Sequence, residues 1–342
     1  MNVLIVGGSG FVGTALTRAL RDRGHEVAVL SRSPDEADLS AEVETISGDV
    51  TEYDAIEGAF ADRDVVVNLV ALSPLFQPPP GTSHESVHLG GTENVVAAAE
   101  AHGVPRIVQM SALGADPDGA TDYIRAKGEA EAVVRASSLD WTIVRPSVVF
   151  GDGGEFVSFT KKLTTPYVTG LPGGGKTRFQ PIWVGDLAPM LADCVEGRTE
   201  RPPGESDSEA EGESDSKAEG ESTAEATSGG VQASSGDSRT TPGDEHVGET
   251  YELGGPEVLT LAEVAKRSYR AEGKSLVVLP VPMALARVGL TVLGAVPGFP
   301  MGADQYRSLE FDNTTADNDV VAFGRDPDEL RTLADYLGAN QA

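Results

Sequence analysis

The sequence predicts an α/β protein in which a doubly wound parallel sheet is joined to a smaller C-terminal α+β domain. Three observations predict this fold. Strand-like and helix-like segments alternate regularly over residues 1–150. The strands are almost continuously apolar, which is typical of parallel sheets covered on both faces. The first strand runs directly into a glycine-rich turn and the start of a helix.

The individual elements follow from local patterns. Short apolar runs bounded by turn residues predict strands at Asn2–Val6, Glu26–Leu30, Val43–Ser47, Asp64–Leu69, Arg106–Met110 and Trp141–Arg145. Apolar residues at helical spacing predict helices at Phe11–Arg23, Ala55–Ala61, Ser83–His102 and Ala120–Ser137. Later elements are a strand at Thr250–Leu253, a helix at Thr260–Ala271 with a Thr260–Glu263 capping box, and helices at Met283–Leu293 and Asp328–Tyr336.

Two units and one insert follow from this order. We expect the sheet domain to comprise residues 1–150 and about 177–197, and a substrate or lid domain to comprise 151–176 and 249–342. We predict that residues 198–248 form a disordered acidic insert, because positions 199–248 hold 13 acidic and 3 basic residues and no aromatic residue. Such a composition buries too little apolar surface to offset the entropy lost on ordering. A tolerated loop insertion is the favoured interpretation, and an acidic interaction arm is the alternative.

The chain as a whole is strongly acidic. Its 54 Asp and Glu residues against 26 Lys and Arg give a net charge of −28. This charge disfavours nucleic acid as a partner. It suits a halophilic source, because concentrated salt screens the repulsion. An acidic protein of an ordinary cytosol is the alternative.

Cysteine usage and hydropathy bound the setting of the protein. The single Cys194 excludes an internal disulfide and a cysteine-based metal site, and we expect no metal. No signal peptide precedes Met1, and no apolar run reaches the ~18 residues that a spanning helix needs. We therefore expect a cytoplasmic protein, either free or peripheral at the inner face of the membrane.

The glycine-rich turn after the first strand predicts a dinucleotide site of the Rossmann type. Gly7 permits the tight turn, Gly10 lets the backbone approach the phosphates, and Gly13 lets the helix pack against the strand. The helix N-terminus offers free N–H groups to the pyrophosphate. This part of the predicted site comprises Gly7, Ser9, Gly10, Phe11, Val12 and Gly13. A glycine-rich turn without a ligand is the alternative.

Residues after the other strands extend the site, because ligands of such sheets bind beyond the strands' carboxyl ends. Arg32, next to Ser31, stands where a carboxylate would select NAD and suits the 2′-phosphate of NADP. NADP(H) is therefore the preferred cofactor and NAD(H) the alternative, and Arg32 as a plain surface residue stays open. Asp49, followed by Val50, can accept a hydrogen bond from adenine or cap a turn. The remaining predicted cofactor residues are Leu69, Val70, Ala71, Lys127, Arg145 and Pro146.

Tyr123 and Lys127 predict an acid–base pair. Residues four apart lie on one helix face, so Lys127 can bind the nicotinamide ribose and lower the pKa of the Tyr123 phenol. The phenol can then exchange a proton with a carbonyl or alcohol. Ser111, just after the fifth strand, is the third catalytic candidate. A plain surface pair is the alternative for Tyr123 and Lys127.

These motifs together resemble the extended short-chain dehydrogenase/reductase family, which includes epimerase/dehydratase-like proteins. The resemblance rests on the motifs Gly7-x-x-Gly10-x-x-Gly13, Asp49-Val50, Tyr123-x-x-x-Lys127, Arg145-Pro146 and the run 181–186. The runs 109–115 and 251–256 are similar to an atypical subgroup that includes the Rossmann-type accessory subunit of respiratory complex I. Ser111 departs from the family pattern, because it lies closer to Tyr123 than the family's Ser or Thr does.

Two functions follow from the residues and the resemblance. The first is an NADP(H)-preferring oxidoreductase or sugar-nucleotide epimerase-like enzyme, acting on a small carbonyl, sugar-nucleotide or quinone-related substrate. The second is a non-catalytic subunit that holds NADP(H) as a structural or sensing ligand and docks on a partner such as a membrane respiratory complex. The apolar stretch Met283–Pro300 motivates the second function, and ordinary lid-domain core is the favoured interpretation of that stretch.

Overall fold

A seven-stranded parallel sheet organises the molecule. The computed structural model describes residues 1–197, 246–282 and 307–338. Its strands are β1 (Asn2–Val6), β2 (Glu26–Ser31), β3 (Glu44–Ser47), β4 (Val65–Asn68), β5 (Arg106–Met110), β6 (Asp140–Pro146), β7 (Val149–Phe150), β8 (Tyr167–Pro172), β9 (Arg178–Phe179), β10 (Ile182–Trp183), β11 (Glu249–Leu253), β12 (Leu259–Thr260) and β13 (Leu276–Val281). The large sheet has the order β11-β6-β5-β4-β1-β2-β3. Strands β2 and β3 lie on one side of β1, whereas β4 and the later strands lie on the other. A ligand-binding crevice is therefore expected between the carboxyl ends of β1 and β4.

Helices cover both faces of this sheet. They are α1 (Phe11–Asp22), α2 (Tyr53–Ile56), α3 (Gly91–Ala101), α4 (Asp122–Ala136), α5 (Glu155–Leu163), α6 (Val184–Glu196), α7 (Leu261–Ala271) and α8 (Leu333–Tyr336). Alternate residues of β1 enter different cores: Val3 and Ile5 pack with α1 and α6, whereas Leu4 and Val6 pack with α3. The apolar strands of the sequence therefore reflect burial on both faces, and the predicted α/β class is confirmed.

A smaller unit packs around a third core, which contains Phe156 and Phe159 of α5 and Val264 of α7. Strands β8 and β13 form a parallel pair beside it. The expected boundary at residue 249 is wrong for β11, because Glu249–Leu253 pairs with β6 as the edge strand of the large sheet. Residues 246–248 also belong to the fold: His246 is buried, and the Thr142 hydroxyl donates to its carbonyl at 2.7 Å. The predicted insert 198–248 therefore extends too far at its C-terminal end, and its remainder lies outside the described residues.

Three predicted helices differ in form. The segment predicted as Ser83–His102 begins with a π-helical stretch at Glu85–Gly90 before α3. The segment predicted as Ala55–Ala61 is α2 followed by a 3-10 turn at Glu57–Phe60. The terminal helix predicted from Asp328 is a 3-10 turn at Pro327–Glu329 followed by α8, whose first turn is capped by the Thr332 hydroxyl accepting from Asp335 N–H. The predicted helix Met283–Leu293 and the stretch Met283–Pro300 lie outside the described residues.

Candidate functional site

The turn between β1 and α1 has the geometry of an anion cradle. Gly7 has a φ of +83°, a region that favours glycine. A Cβ on Gly13 would lie 2.5 Å from the Gly8 Cα, so any larger residue would push the helix off the strand. A Cβ on Gly10 would meet only the Gly7 carbonyl, at 3.2 Å. Gly10 is the N-cap of α1, and no side chain caps the helix or places an acidic group in its first turn. The first N–H groups of α1 thus stay available to an anion.

A cleft of about 720 Å³ opens at this turn. The structure brings most of the predicted cofactor residues together along its wall: Gly7, Ser9, Gly10, Phe11, Val12, Gly13, Ser31, Arg32, Asp49, Val50, Leu69, Val70 and Ala71. The cleft lies where β1, β2 and β4 end, as expected for a doubly wound sheet. Its size and backbone donors fit an extended dinucleotide.

The charged groups of the cleft wall are Arg32 and Asp49. Arg32 is exposed, and its carbonyl accepts from the Ser47 hydroxyl at 3.2 Å, which fixes the loop after β2. Asp49 Oδ1 accepts from the backbone N–H of Thr51 at 3.0 Å and from its hydroxyl at 2.8 Å. Asp49 therefore shapes a turn as well as lining the cleft. Arg32, next to Ser31 at the end of β2, is thus the positively charged side chain of this wall.

Tyr123 and Lys127 both lie on α4, whose N-terminus is capped by the Thr121 hydroxyl. Lys127 is 1% exposed, and its Nζ donates to the Met110 carbonyl at 3.0 Å. Burial lowers the pKa of Lys127 to about 8, and the nearby Glu131 carboxylate opposes that shift. Burial raises the pKa of Tyr123. The expected lowering of the Tyr123 pKa by Lys127 is therefore wrong, because desolvation of the phenol dominates.

The catalytic candidates lie beside the cleft and do not form its wall. Met110 lines the cleft, and its carbonyl accepts a hydrogen bond from Lys127 Nζ. Met110 therefore connects the cleft wall to the catalytic candidates. Ser111 follows Met110; its N–H donates to the Val144 carbonyl at 2.7 Å. The Ser111 Oγ is buried and has no hydrogen-bond partner among the described residues. Lys127 and Ser111 thus both adjoin Met110, and Tyr123 lies one turn before Lys127 on α4, so the three candidates form a cluster beside this cleft-lining residue.

Two histidines that the sequence reasoning missed complete this cluster. The ring centroids of His84 and His88 lie 5.4 and 5.3 Å from that of Tyr123, in edge-to-face contacts. Both histidines are buried, at 4% and 2% exposure. A sequence signal existed: two histidines four residues apart, just before the helix that follows β4. On a helix this spacing places them on one face.

Arg145 and Pro146 are not part of the cleft wall. The Arg145 guanidinium donates to both carboxylate oxygens of Glu131, at 2.8 and 2.6 Å, and also bonds Glu252. Glu131 is 1% exposed, so Arg145 compensates a buried charge. Pro146 is buried and pairs with Leu253 in the sheet. The structure does not bring these two residues to the cleft wall: Arg145 ties α4 to β11, and Pro146 extends the pairing of β6 with β11.

Residues 1–197, 246–282 and 307–338 contain neither a membrane-spanning helix nor a metal-binding cluster. No helix there has both the length and the apolar character to cross a bilayer. No group of three or more His, Cys, Asp or Glu side chains in those ranges is arranged to hold a metal ion.

Sequence comparisons identify relatives. Residues 7–170 match a protein family described as NAD(P)H-binding. The mitochondrial NADH dehydrogenase (ubiquinone) 1 alpha subcomplex subunit 9 of Arabidopsis thaliana is 26% identical over 333 residues, which cover 92% of this chain and 71% of that protein. The epimerase family protein SDR39U1 of Mus musculus is 32% identical over 222 residues, which cover 57% of this chain and 71% of that protein.

A solved structure shows the same fold. The triphenylmethane reductase of Citrobacter sp. matches 99% of both chains with a TM-score of 0.65 at 16% identity. At that identity the likeness concerns the fold alone. The family assignment rests instead on the sequence relatives, which span most of the chain, and agrees with the glycine cradle. The chain belongs to the NAD(P)-binding, epimerase-like family of extended short-chain dehydrogenases/reductases.

Proposed function

We propose that the protein is an NADP(H)-preferring oxidoreductase that reduces a carbonyl compound. One observation carries the proposal: Lys127, one helical turn from Tyr123, is bound to the carbonyl of a cleft-lining residue, Met110. This hydrogen bond connects the helix that carries Tyr123 to the wall of the cleft in which the dinucleotide would bind. Candidate substrates are small ketones, sugar nucleotides and quinone-related compounds.

The cofactor assignment within this proposal rests on the cleft wall. The N–H groups of α1 and the glycines at 7, 10 and 13 would hold the pyrophosphate. Arg32 would pair with the 2′-phosphate, since a guanidinium forms strong bidentate bonds to phosphate. Asp49 and Val50 would border the adenine.

The chemistry divides between cofactor and chain. NADPH held by the α1 N-terminus and Arg32 would supply the hydride that the carbonyl carbon receives. Tyr123 donates its phenolic proton to the carbonyl oxygen, which becomes a hydroxyl. Burial raises the pKa of Tyr123, so the phenol holds its proton more firmly and needs a group that stabilises the tyrosinate in order to give it up. The Lys127 cation stabilises the tyrosinate left behind, and the Ser111 hydroxyl can donate to the same carbonyl oxygen.

Replacing Tyr123 by Phe tests this function. We expect NADPH-dependent reduction, assayed on a panel of ketones, quinones and sugar nucleotides, to fall about 100- to 10,000-fold, because the acid is lost. The NADPH dissociation constant should stay within about twofold, since the ring remains. Tyr53→Phe, on α2 and outside the cluster, is the matched control. Undiminished turnover in Tyr123→Phe would contradict the mechanism.

A second candidate function is a subunit that holds NADP(H) without turning over a substrate. The likeness to the Arabidopsis complex I subunit favours it, because that likeness extends over 92% of this chain. Such a protein would bind NADPH tightly and dock on a partner assembly. Tight NADPH binding by the wild type, with no turnover of any compound in the panel, would favour this candidate over the enzyme.

A further inference from the structure

His88 lies in an unusual piece of backbone beside the tyrosine. The segment Glu85–Gly90 is π-helical. This form is rare in proteins, and where it occurs it is often at a functional site. Within it the His88 ring stacks on His84, with centroids 5.5 Å apart and planes inclined by 16°. Its edge-to-face contact with Tyr123 holds the rings at a centroid distance of 5.3 Å. This packing fixes the position of the His88 ring.

The hydrogen bonding of His88 fixes its tautomer. The Leu72 N–H donates to His88 Nε2 at 3.3 Å, so Nε2 carries a lone pair and no proton. Burial and the positive charge of Lys127 hold the pKa of His88 well below its ordinary value. The ring is therefore neutral near pH 7, and its one proton is on Nδ1.

His88 Nδ1, which carries this proton, is buried and has no hydrogen-bond partner among the described residues. The Ser111 Oγ, just beyond the end of β5, shares both properties. A buried donor left unmatched costs about 1–3 kcal/mol, and buried polar groups nearly always have partners. One of these groups contacts Tyr123 and the other follows Met110, which binds Lys127, so together they point to a ligand atom that accepts from them.

The position of His88 relative to the cleft supports this reading. Leu72, whose N–H binds His88, lines the cleft, as do the neighbouring Val87 and Met110. Met110 in turn accepts from Lys127. His88 thus lies behind the part of the cleft wall that Leu72 and Val87 form, in contact with Tyr123.

We propose that His88 Nδ1–H donates a hydrogen bond to the carbonyl oxygen of the substrate and polarises it, alongside Ser111. This assignment rests on the proposed reductase function and supplies a second donor near a serine that departs from the family spacing. No proton leaves His88: the neutral ring stabilises the charge that develops on the oxygen, while Tyr123 delivers the proton. A preorganised donor of this kind changes the rate about 100- to 1,000-fold.

The test measures binding, so that it does not depend on knowing the substrate. Trifluoroacetate stands in for the developing oxyanion, and its binding to the NADP⁺-loaded protein is followed by ¹⁹F NMR. Two-bond ¹H–¹⁵N spectra of the histidine rings report the His88 tautomer. We expect a neutral, Nδ1-protonated ring between about pH 6.5 and 8, whose Nδ1–H signal moves downfield when trifluoroacetate binds.

Two variants separate the two nitrogens of the ring. His88→Gln keeps an acceptor for the Leu72 N–H and removes the donor, so we expect trifluoroacetate affinity to fall about 10- to 100-fold. His88→Asn places an amide donor near Nδ1 and should keep the affinity within about threefold of the wild type, on the same reasoning. His102→Gln, at a partly exposed histidine paired with Glu57, is the matched control.

The outcomes are distinct. An unmoved Nδ1–H signal, an absence of trifluoroacetate binding, or equal affinity in His88→Gln would overturn the assignment to His88. NADPH affinity, measured by fluorescence on every variant, reports whether the site is intact. A wild type that binds no NADPH would overturn the proposed function itself. Normal NADPH binding with a silent His88 would overturn the His88 assignment alone.

Discussion

Lys127 is a buried cation that the fold holds at a cost. It is 1% exposed, and burial lowers its pKa to about 8 from an ordinary 10.5. A difference of this size corresponds to roughly 3 kcal/mol between the charged and neutral forms. Side chains whose pKa is strongly shifted by burial cluster at functional sites, even though they destabilise the fold. The position of Lys127 beside the cleft agrees with that expectation.

The pH dependence of stability tests this cost. Because the folded-state pKa lies below the unfolded one, the unfolded chain binds more protons between about pH 8 and 10.5, and stability rises with pH there. Lys127→Met should therefore be more stable than the wild type at pH 7, by up to about 3 kcal/mol. The gap should close as the pH approaches 10. Urea unfolding at both pH values measures it, with the exposed Lys266→Met as control. A variant with no gain at pH 7 would refute the burial argument.

Single residues differ in how far the sequence could predict them. Arg32 and Asp49 were placed correctly at the cleft because the position after a parallel strand follows from local pattern alone. The ion pair of Arg145 with Glu131 was not predicted, because Glu131 lies on another element and only the tertiary structure brings the two together. His88 was missed because its tautomer depends on the backbone of Leu72, 16 residues away in the chain.

Two glycines of the β1–α1 unit serve different purposes. Gly13 allows helix and strand to approach, whereas Gly10 keeps the cleft side of the turn free of a Cβ. Local pattern predicted this unit correctly, because strand, turn and helix are all encoded within consecutive residues. The π-helical stretch at Glu85–Gly90 was not predictable from apolar spacing, which does not distinguish a π-turn from an α-turn over so few residues.

Alanine substitutions separate the two purposes. Gly10→Ala should leave the melting temperature within about 2 °C, because its Cβ meets only one atom. NADPH affinity should nonetheless fall at least about tenfold, because the methyl group faces the phosphates. Gly13→Ala should lower the melting temperature, since its Cβ overlaps the Gly8 backbone. Gly58→Ala, which meets nothing within 4 Å, is the control. Unchanged NADPH binding in Gly10→Ala would count against the cradle.

At the scale of the whole molecule, the acidic segment is inserted in the chain between two strands that pair in the large sheet. Strand β11 lies after the segment and pairs with β6 before it. The joint is packed: the His246 ring stacks on Phe323 with centroids 5.0 Å apart, and His246 Nδ1 lies 2.8 Å from the Tyr251 hydroxyl. Composition alone marked the segment but not where it ends, because His246 and Val247 follow acidic residues with no local strand pattern.

Excision with two end points tests this boundary. Replacing residues 199–244 by a short Gly-Ser linker should leave the melting temperature and NADPH affinity unchanged, because composition gives this segment little to bury. Extending the excision to residue 248 removes the buried His246 and should lower the melting temperature by roughly 5–10 °C. Calorimetry on both variants makes the comparison. Equal melting of the two would show that the joint contributes nothing, and a large loss in the shorter excision would refute the composition argument.

The central claim is that the cleft binds NADP(H) through the β1–α1 turn and Arg32. Titration calorimetry of the wild type and Arg32→Ala with NADPH and NADH tests it most directly, with the exposed Arg18→Ala as control. We predict that Arg32→Ala weakens NADPH about 10- to 100-fold, the effect of losing a charge-assisted bond to phosphate, and leaves NADH unchanged. Equal weakening of both nucleotides, or of neither, would contradict the claim.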